Sequence, residues 1–543
     1  MSELQIPLRG DSGAEGVVFP APSEACTPPV DALVPSDAAA GAAESFSLLK
    51  RIVSFPAMLG TMLVGAVFIA GQYFAVDPDL WWHIKNGQNI LATHRWPTAD
   101  PYSFTVAGTP WLSYEWLGDV LFGAVARFAG VRGLDALLII LGSAIVIALY
   151  IYATLRSGNS KAAFVTAAAL YVLVTPSLSL RPQMLGYLFI VLTLISLEYF
   201  RRGKLWSLWF LPPLFLAWIN THGSWVIGLG VLVVVLAGGL INLRLGSIEA
   251  RRWSARERVH LEVALLLCLS VIPLTPYGTQ LAAYPFTVAS SLPVNVANVL
   301  EWQPMPFNLL GGKIFLVLLL GFFVAQMALR FSCKLDDLVL FLGGTALACL
   351  HLRFILLFVP FFSALLVMLV AHWVPPYNRL KDQYVVNALL MATIIGAMVW
   401  YFPTRNGIEE IISRNFPVRA VNYLRNHPVP GRMYNTYGYG GYLIWARPEQ
   451  KVFIDGRGDL YEVGGAFSDY LEAANLKPAA FAVLRAYRIQ SCLLDRSEAL
   501  ATVLSNHPDW RQEYSDDVSI LFVKRDANMS AQPMRGSPIA QKE

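Results

Sequence analysis

Uncharged apolar runs, each about 20 residues long, recur between Phe55 and Trp400. That length suits the hydrocarbon core of a bilayer, about 30 Å thick, at about 1.5 Å of rise per helical residue. Within lipid every backbone N–H and C=O needs a partner in the chain itself, so the runs are predicted to be transmembrane helices. Only 14% of the 543 residues are charged, too few to clothe a soluble chain of this size. Candidate spans cover 57–75, 133–155, 161–180, 184–200, 205–220, 223–243, 259–275, 312–330, 335–350, 353–373 and 384–402, about 11 in all.

Cations fall in alternate loops. Lys50 and Arg51, Arg156 and Lys161, Arg201 to Lys204, Arg244 to Arg258, Arg330 and Lys334, and Arg379 and Lys381 form one set. The positive-inside rule places that set, and the N-terminus, in the cytoplasm, so residues after 403 are external. The net charge of +4 is therefore read as topology, with no nucleic-acid partner. Cys26, Cys268, Cys333, Cys349 and Cys492 are scattered, without disulfide or zinc spacing.

Residues 1–49, rich in Ala, Pro, Ser and Gly, are expected to be a disordered cytoplasmic tail, and the first span an uncleaved anchor. Residues 50–403 then form the membrane domain, with a long first external loop at 76–132. Two surface helices are expected there, at 79–93 and 111–129; the charges Glu115, Asp119 and Arg127 argue against a span in the second. Residues 404–526 regain charge and read as a small external α/β domain. Its expected strands are 451–455, 491–495 and 518–525, and its expected helices 468–475 and 477–488. Residues 527–543 are polar and expected to be a second disordered tail. The fold class is thus an α-helical polytopic membrane protein with a small external α/β C-terminal domain.

With that orientation, the polar residues hardest to explain as solubilising groups fall on one face. DPDLWWH carries Asp77, Asp79 and His83, and YEWLGD carries Glu115 and Asp119. Two carboxylates two residues apart can serve as a general base or hold a hard divalent cation such as Mg or Mn, while Asp79 could equally cap the helix that follows. Other external junctions add Arg181, Asn220, His222, Tyr277, Glu301, His351 and Arg353. Each alone suits a membrane-interface anchor. Together they suit substrate binding, because a phosphate leaving group needs cations and Arg offers a planar fork. Arg181 and Arg353 are the candidates for that role, with His222 as a third. The tryptophans at 81, 82, 96, 111 and 116 are most simply an aromatic belt. In YNTYGYGGYLIW and VFIDGRGDLY, glycines beside aromatics permit close backbone approach to a ligand and equally make turns between strands; Asp455, Arg457 and Asp459 read as turn or salt-bridge residues ahead of substrate contacts.

A first span followed by an acidic pair, a structured first loop, about 11 spans and an external C-terminal domain resemble the GT-C superfamily of glycosyltransferases. That superfamily includes protein O-mannosyltransferases, aminoarabinose transferases of lipid A and the oligosaccharyltransferase catalytic subunit. DPDLWWH, YEWLGD, WINTHG, EW and VFIDGRGDLY are more closely similar to strings in a group of bacterial membrane proteins akin to it, over most of 57–525. The resemblance implies a polyprenyl-phosphate-linked sugar as donor, a glycan, lipid or protein acceptor, and a first-loop Asp as base, at Asp77 or Asp79. It also implies cations near the phosphate and a place in the bacterial inner membrane, with the C-terminal domain periplasmic. The chain departs from the mannosyltransferases in lacking their Asp-Glu pair. Two other classes compete: a transporter or lipid flippase, and an assembly or sensor protein whose external domain binds a ligand. The span carboxylates Glu198, Glu262, Asp336 and Asp337 sit near expected cytoplasmic ends rather than mid-membrane, and no internal repeat is evident, which disfavours a carrier.

Overall fold

A computed structural model describes residues 48–71, 77–329 and 332–525, and no side chains at 288–291. The chain divides into a unit ending at Ile52 and a second spanning Val53–Glu543. Of the first, residues 48–52 are described, and they are helical. The expected disordered tails otherwise lie outside the described residues.

Each predicted span overlaps a helix among the described residues, but the expected count of about 11 crossings is not confirmed. The long ones are Trp116–Ser157, Gln183–Arg201, Leu310–Leu329 and Ile355–Trp373. By length and composition five helical segments among the described residues can cross a membrane, or up to six if the bent pair Tyr384–Trp400 and Arg405–Asn415 counts as one. The helices Phe55–Gly71, Leu205–Ile219 and Trp225–Gly238 are apolar but shorter. Large apolar side chains stand exposed where lipid would cover them, including Val317, Val324 and Met327 on one helix and Val385, Val399 and Trp400 on another.

The 42-residue helix Trp116–Ser157 is two helices joined at Gly130, whose φ of 60° and ψ of −156° belong to a region open essentially to glycine alone. The break separates the charged half, predicted as a surface helix, from the apolar half predicted as a span. At the far ends of the helices, Arg156 and Arg201 meet Glu198, Asp336 and Asp337. Arg156 Nη1 is 3.2 Å from Glu198, and Arg201 Nη1 is 3.4 Å from Asp337. Short ion pairs also join Arg156 to Asp337 and Arg201 to Asp336. Three of the four carboxylates placed near span ends by sequence are thus neutralised by arginine, as burial requires, while the partly exposed Glu262 lies 3.5 Å from Arg258. Nearby, β1 (Leu243–Leu245) pairs antiparallel with β2 (Ile248–Ala250), which pairs in parallel with β3 (Cys333–Lys334).

At the C-terminal end, β4 (Arg432–Asn435), β5 (Ile489–Asp495), β6 (Trp510–Ser515) and β7 (Ser519–Lys524) form a sheet in the order β4-β5-β7-β6. Only the β4–β5 pair is parallel. The expected strands at 491–495 and 518–525 are β5 and β7. The expected strand at 451–455 is not part of this sheet: Val452 bridges Ser103 of the first loop, and Thr105 Oγ1 donates to Phe453 O at 2.6 Å. The Gly-rich 434–445 string, expected to make turns or to admit a ligand, is mostly helix, Tyr437–Ala446. One apolar core runs from the first loop (Leu80, Trp81, Tyr102, Trp111) through the long helices to this sheet (Leu493, Leu521, Phe522).

Candidate active site

The loop helix Leu80–Thr93 buries Leu80, Trp81, Ile84 and Ile90 at helical spacing and ends at His94 in the left-handed region. Asp79 stands at its N-cap position, yet its side chain makes no capping bond. Asp77 Oδ1 instead accepts from the Asp79 N–H at 2.9 Å, and Asp79 is turned toward Arg181. The capping explanation for Asp79 therefore fails on geometry.

Arg181 lies at the entry to helix Gln183–Arg201 and is ringed by three carboxylates. Its Nε is 2.6 Å from Asp77, Nη2 is 3.1 Å from Asp79, and Nη1 is 2.7 Å from Glu301. Ser179 also donates to Asp77. Burial pushes the Asp77 carboxyl up, but Arg181, Ser179 and the Asp79 amide outweigh it and hold the group below the ordinary aspartate range. Asp79 has fewer bonds; burial and the repulsion of Asp77 carry it up to about 6 against the pull of Arg181. Gly456 closes over this pair: a Cβ there would lie 1.6 Å from Asp79 Oδ1.

A second group adjoins it. His83 Nδ1 is 2.5 Å from Asp119 Oδ1, and Asp119 is fully buried, accepting also from Asn86 at 2.6 Å and Ser113 at 2.8 Å. Burial opposes charge on His83, yet Asp119 and Glu115 raise its affinity for a proton above that of an ordinary histidine. Glu115 lies 3.8 Å from His83 Nε2 and 3.6 Å from His222 Nε2. Burial raises Glu115 to about 8, while burial and repulsion from Arg353 and His83 lower His222 to about 3. At neutral pH Glu115 and His222 thus face each other uncharged, and their proximity is not a salt bridge.

Arg353 differs from Arg181. Its guanidinium stacks 4.3 Å over the Trp302 ring, and it has no carboxylate within ion-pair distance among the described residues. Tyr187 lies within electrostatic reach of both arginines and Glu301. The structure thus brings Asp77, Asp79, His83, Glu115, Arg181, His222, Glu301 and Arg353 to one place. Asn220 stands apart in role: its Oδ1 accepts from Trp116 Nε1 at 2.8 Å and its Nδ2 donates to Leu216 O and Leu274 O, tying loops together. His351 Nδ1 meets Trp302 O at 2.6 Å, and Tyr277 donates to Pro97 O at 2.9 Å, which are structural contacts.

Asp455 and Arg457 form a buried pair at 2.7 Å, with Arg457 2.9 Å from Asp100 and stacked 4.5 Å over Trp111. Asp459 instead accepts from Tyr284, whose ring stacks 4.2 Å from Tyr114, beside Glu115. Tyr114 opens the YEWLGD string but is not singled out within it, and sequence offers no signal for Tyr284. Asp77 and Asp79 are the candidate ligands for a divalent cation. The described residues hold no group of three or more His, Cys, Asp or Glu that could hold a metal ion, and Asp77 and Asp79 share Arg181.

No family model matches the chain, and no curated protein matches it. Among solved structures it is similar to the Archaeoglobus fulgidus oligosaccharyltransferase tethered with an acceptor peptide containing the NVT sequon, with 11% identity, a TM-score of 0.49, and coverage of 80% of this chain and 68% of that one. The archaeal oligosaccharyltransferase AglB from the same organism, in complex with an inhibitory peptide and a dolichol-phosphate, gives 10% identity and a TM-score of 0.49 over 80% and 69%. The complex of that oligosaccharyltransferase with Zn and sulfate gives 11% and 0.43 over 80% and 68%. Likeness of this size assigns neither fold nor activity.

Proposed function

We propose that the protein is a membrane glycosyltransferase that moves a sugar from a polyprenyl-phosphate donor to an acceptor at the membrane's outer boundary. The observation that carries this reading is Arg353, without a carboxylate at ion-pair distance among the described residues, beside a nest of acids in which Arg181 is already neutralised. A partly buried cation with no carboxylate at ion-pair distance among the described residues suits an anion that arrives with the substrate. Arg181 is the poorer phosphate ligand, because three carboxylates surround it; it positions Asp77 and Asp79.

The acceptor O–H gives its proton to Asp79, whose hydrogen bonds are fewer than those of Asp77, as its oxygen attacks the anomeric carbon. The bond from that carbon to the phosphate oxygen breaks, and its electron pair stays on the phosphate beside Arg353. Glu115, held neutral, can donate a hydrogen bond to the departing oxygen. No step is routed through a metal. Transfer from polyprenyl-phosphate-linked monosaccharides by purified protein tests the reading. Asp79→Asn should lower the rate about 100-fold or more with donor binding retained. Unchanged transfer in Asp77→Asn, Asp79→Asn and the double variant, all folded, would overturn it.

A further inference from the structure

Helix Gln183–Arg201 begins beside the acid cluster and ends, about 28 Å away at its length, in a different charged region. A cavity of about 620 Å³ opens there, lined by Arg201, Arg244, Arg251, Lys334, Glu249, Asp336 and Trp253 among others. Four of its side chains are cationic and two anionic. Asp336 is committed to Arg201, and Glu249 is 3.5 Å from the largely exposed Arg244. Arg251 reaches Glu257 at 3.2 Å, outside the lining. Lys334, on β3, has no carboxylate within ion-pair distance among the described residues. The β1-β2-β3 sheet holds Arg244, Glu249 and Lys334 in fixed register, and Trp253 is locked as a wall by donating to Val235 O at 3.1 Å.

We infer that this cavity binds the phosphate group of an anionic lipid. The excess of positive charge calls for an anion. Depth selects the source: Trp206 and Trp209 stand exposed on the turn after Arg201, and Leu240, Ile241 and Leu245 are exposed beside the lining residues. Exposed Trp beside apolar side chains marks the headgroup level of a bilayer, where lipid phosphate is concentrated. The surrounding chain takes water from the Lys334 ammonium, and Arg201 and Arg156 repel it, so a phosphate would relieve that repulsion. The site is independent of the sugar-transfer chemistry and uses none of its residues.

Native mass spectrometry of the full chain in detergent tests this, with phosphatidylglycerol, phosphatidylcholine and inorganic pyrophosphate as separate probes. Wild type should retain one phosphatidylglycerol in preference to phosphatidylcholine. Lys334→Gln with Arg244→Gln should weaken that retention about fivefold per cation removed. Arg405→Gln with Arg414→Gln, which removes two exposed cations elsewhere, should not. Pyrophosphate binding lost in the same variant, without lipid retention, would keep the phosphate site and assign it to a soluble ligand. The proposal is overturned if wild type binds neither phosphatidylglycerol nor pyrophosphate, or if the Lys334/Arg244 variant, with unchanged thermal unfolding, binds as wild type does.

Discussion

Two residues set the pH behaviour of the proposed site. Asp79, at about 6, must be ionised to accept a proton, so the rate should fall as pH drops through 6. Glu115, at about 8, must keep its proton to donate, so the rate should fall again as pH rises through 8. A bell between those limits is expected in kcat, and Glu115→Gln should remove its alkaline limb. Glu115 also carries a stability signature. Its carboxyl binds a proton more tightly folded than at its ordinary value of 4.5, so its stabilising contribution is complete below 4.5 and is lost as pH rises through about 8. The melting temperature of wild type should fall across that window, and that of Glu115→Gln should fall less. At Arg353, Lys keeps the charge but loses the fork, so donor affinity should rank wild type, Arg353→Lys, Arg353→Gln. An Arg353→Gln protein binding donor as wild type does would remove the phosphate role.

At the scale of elements, glycines decide how close the pieces come. In helix Tyr437–Ala446, Gly438 faces open space, whereas a Cβ at Gly441 would lie 2.2 Å from Pro78 O, and one at Gly456 would strike Asp79. Gly438→Ala should stabilise by about 0.5–1 kcal/mol, since glycine costs that much in a helix. Gly456→Ala should destabilise by about 1–3 kcal/mol and impair transfer, as thermal unfolding and rate measurements would report. The same glycines explain what sequence could and could not reveal. The apolar helices were legible, though not the number that cross a membrane, because about 20 apolar residues admit few alternatives, and the acid and Arg positions because they punctuate those runs. The 434–445 helix was not, because its glycines favour turns locally, and only distant backbone at Pro78 and Ile454 rewards their smallness. Nor was the difference between Arg181 and Arg353 legible: it lies in which carboxylates fold against each.

For the whole molecule, the first loop and the C-terminal sheet region are expected to fail together. Arg457 is buried between Asp100 and Asp455, and replacing it by Gln would leave two buried carboxylates without their cation. A loss of about 3–5 kcal/mol is expected. Limited proteolysis of Arg457→Gln should cut within residues 94–110 as well as within 451–465. Cleavage confined to the later segment would show that the loop stands on its own.

That joint has a consequence in time. Thr105 and the carbonyl it bonds at Phe453 are 348 residues apart, so the ribosome delivers one long before the other. At about 5–20 residues per second, the loop that carries the proposed base waits about 17 to 70 s for its cover. A nascent or truncated chain then presents Asp79 without Gly456 above it and Asp100 without Arg457, whatever the state of its helices. Competence for transfer is therefore among the last properties the growing polypeptide acquires, and translation that stops before residue 452 should release chains that are inserted but inert.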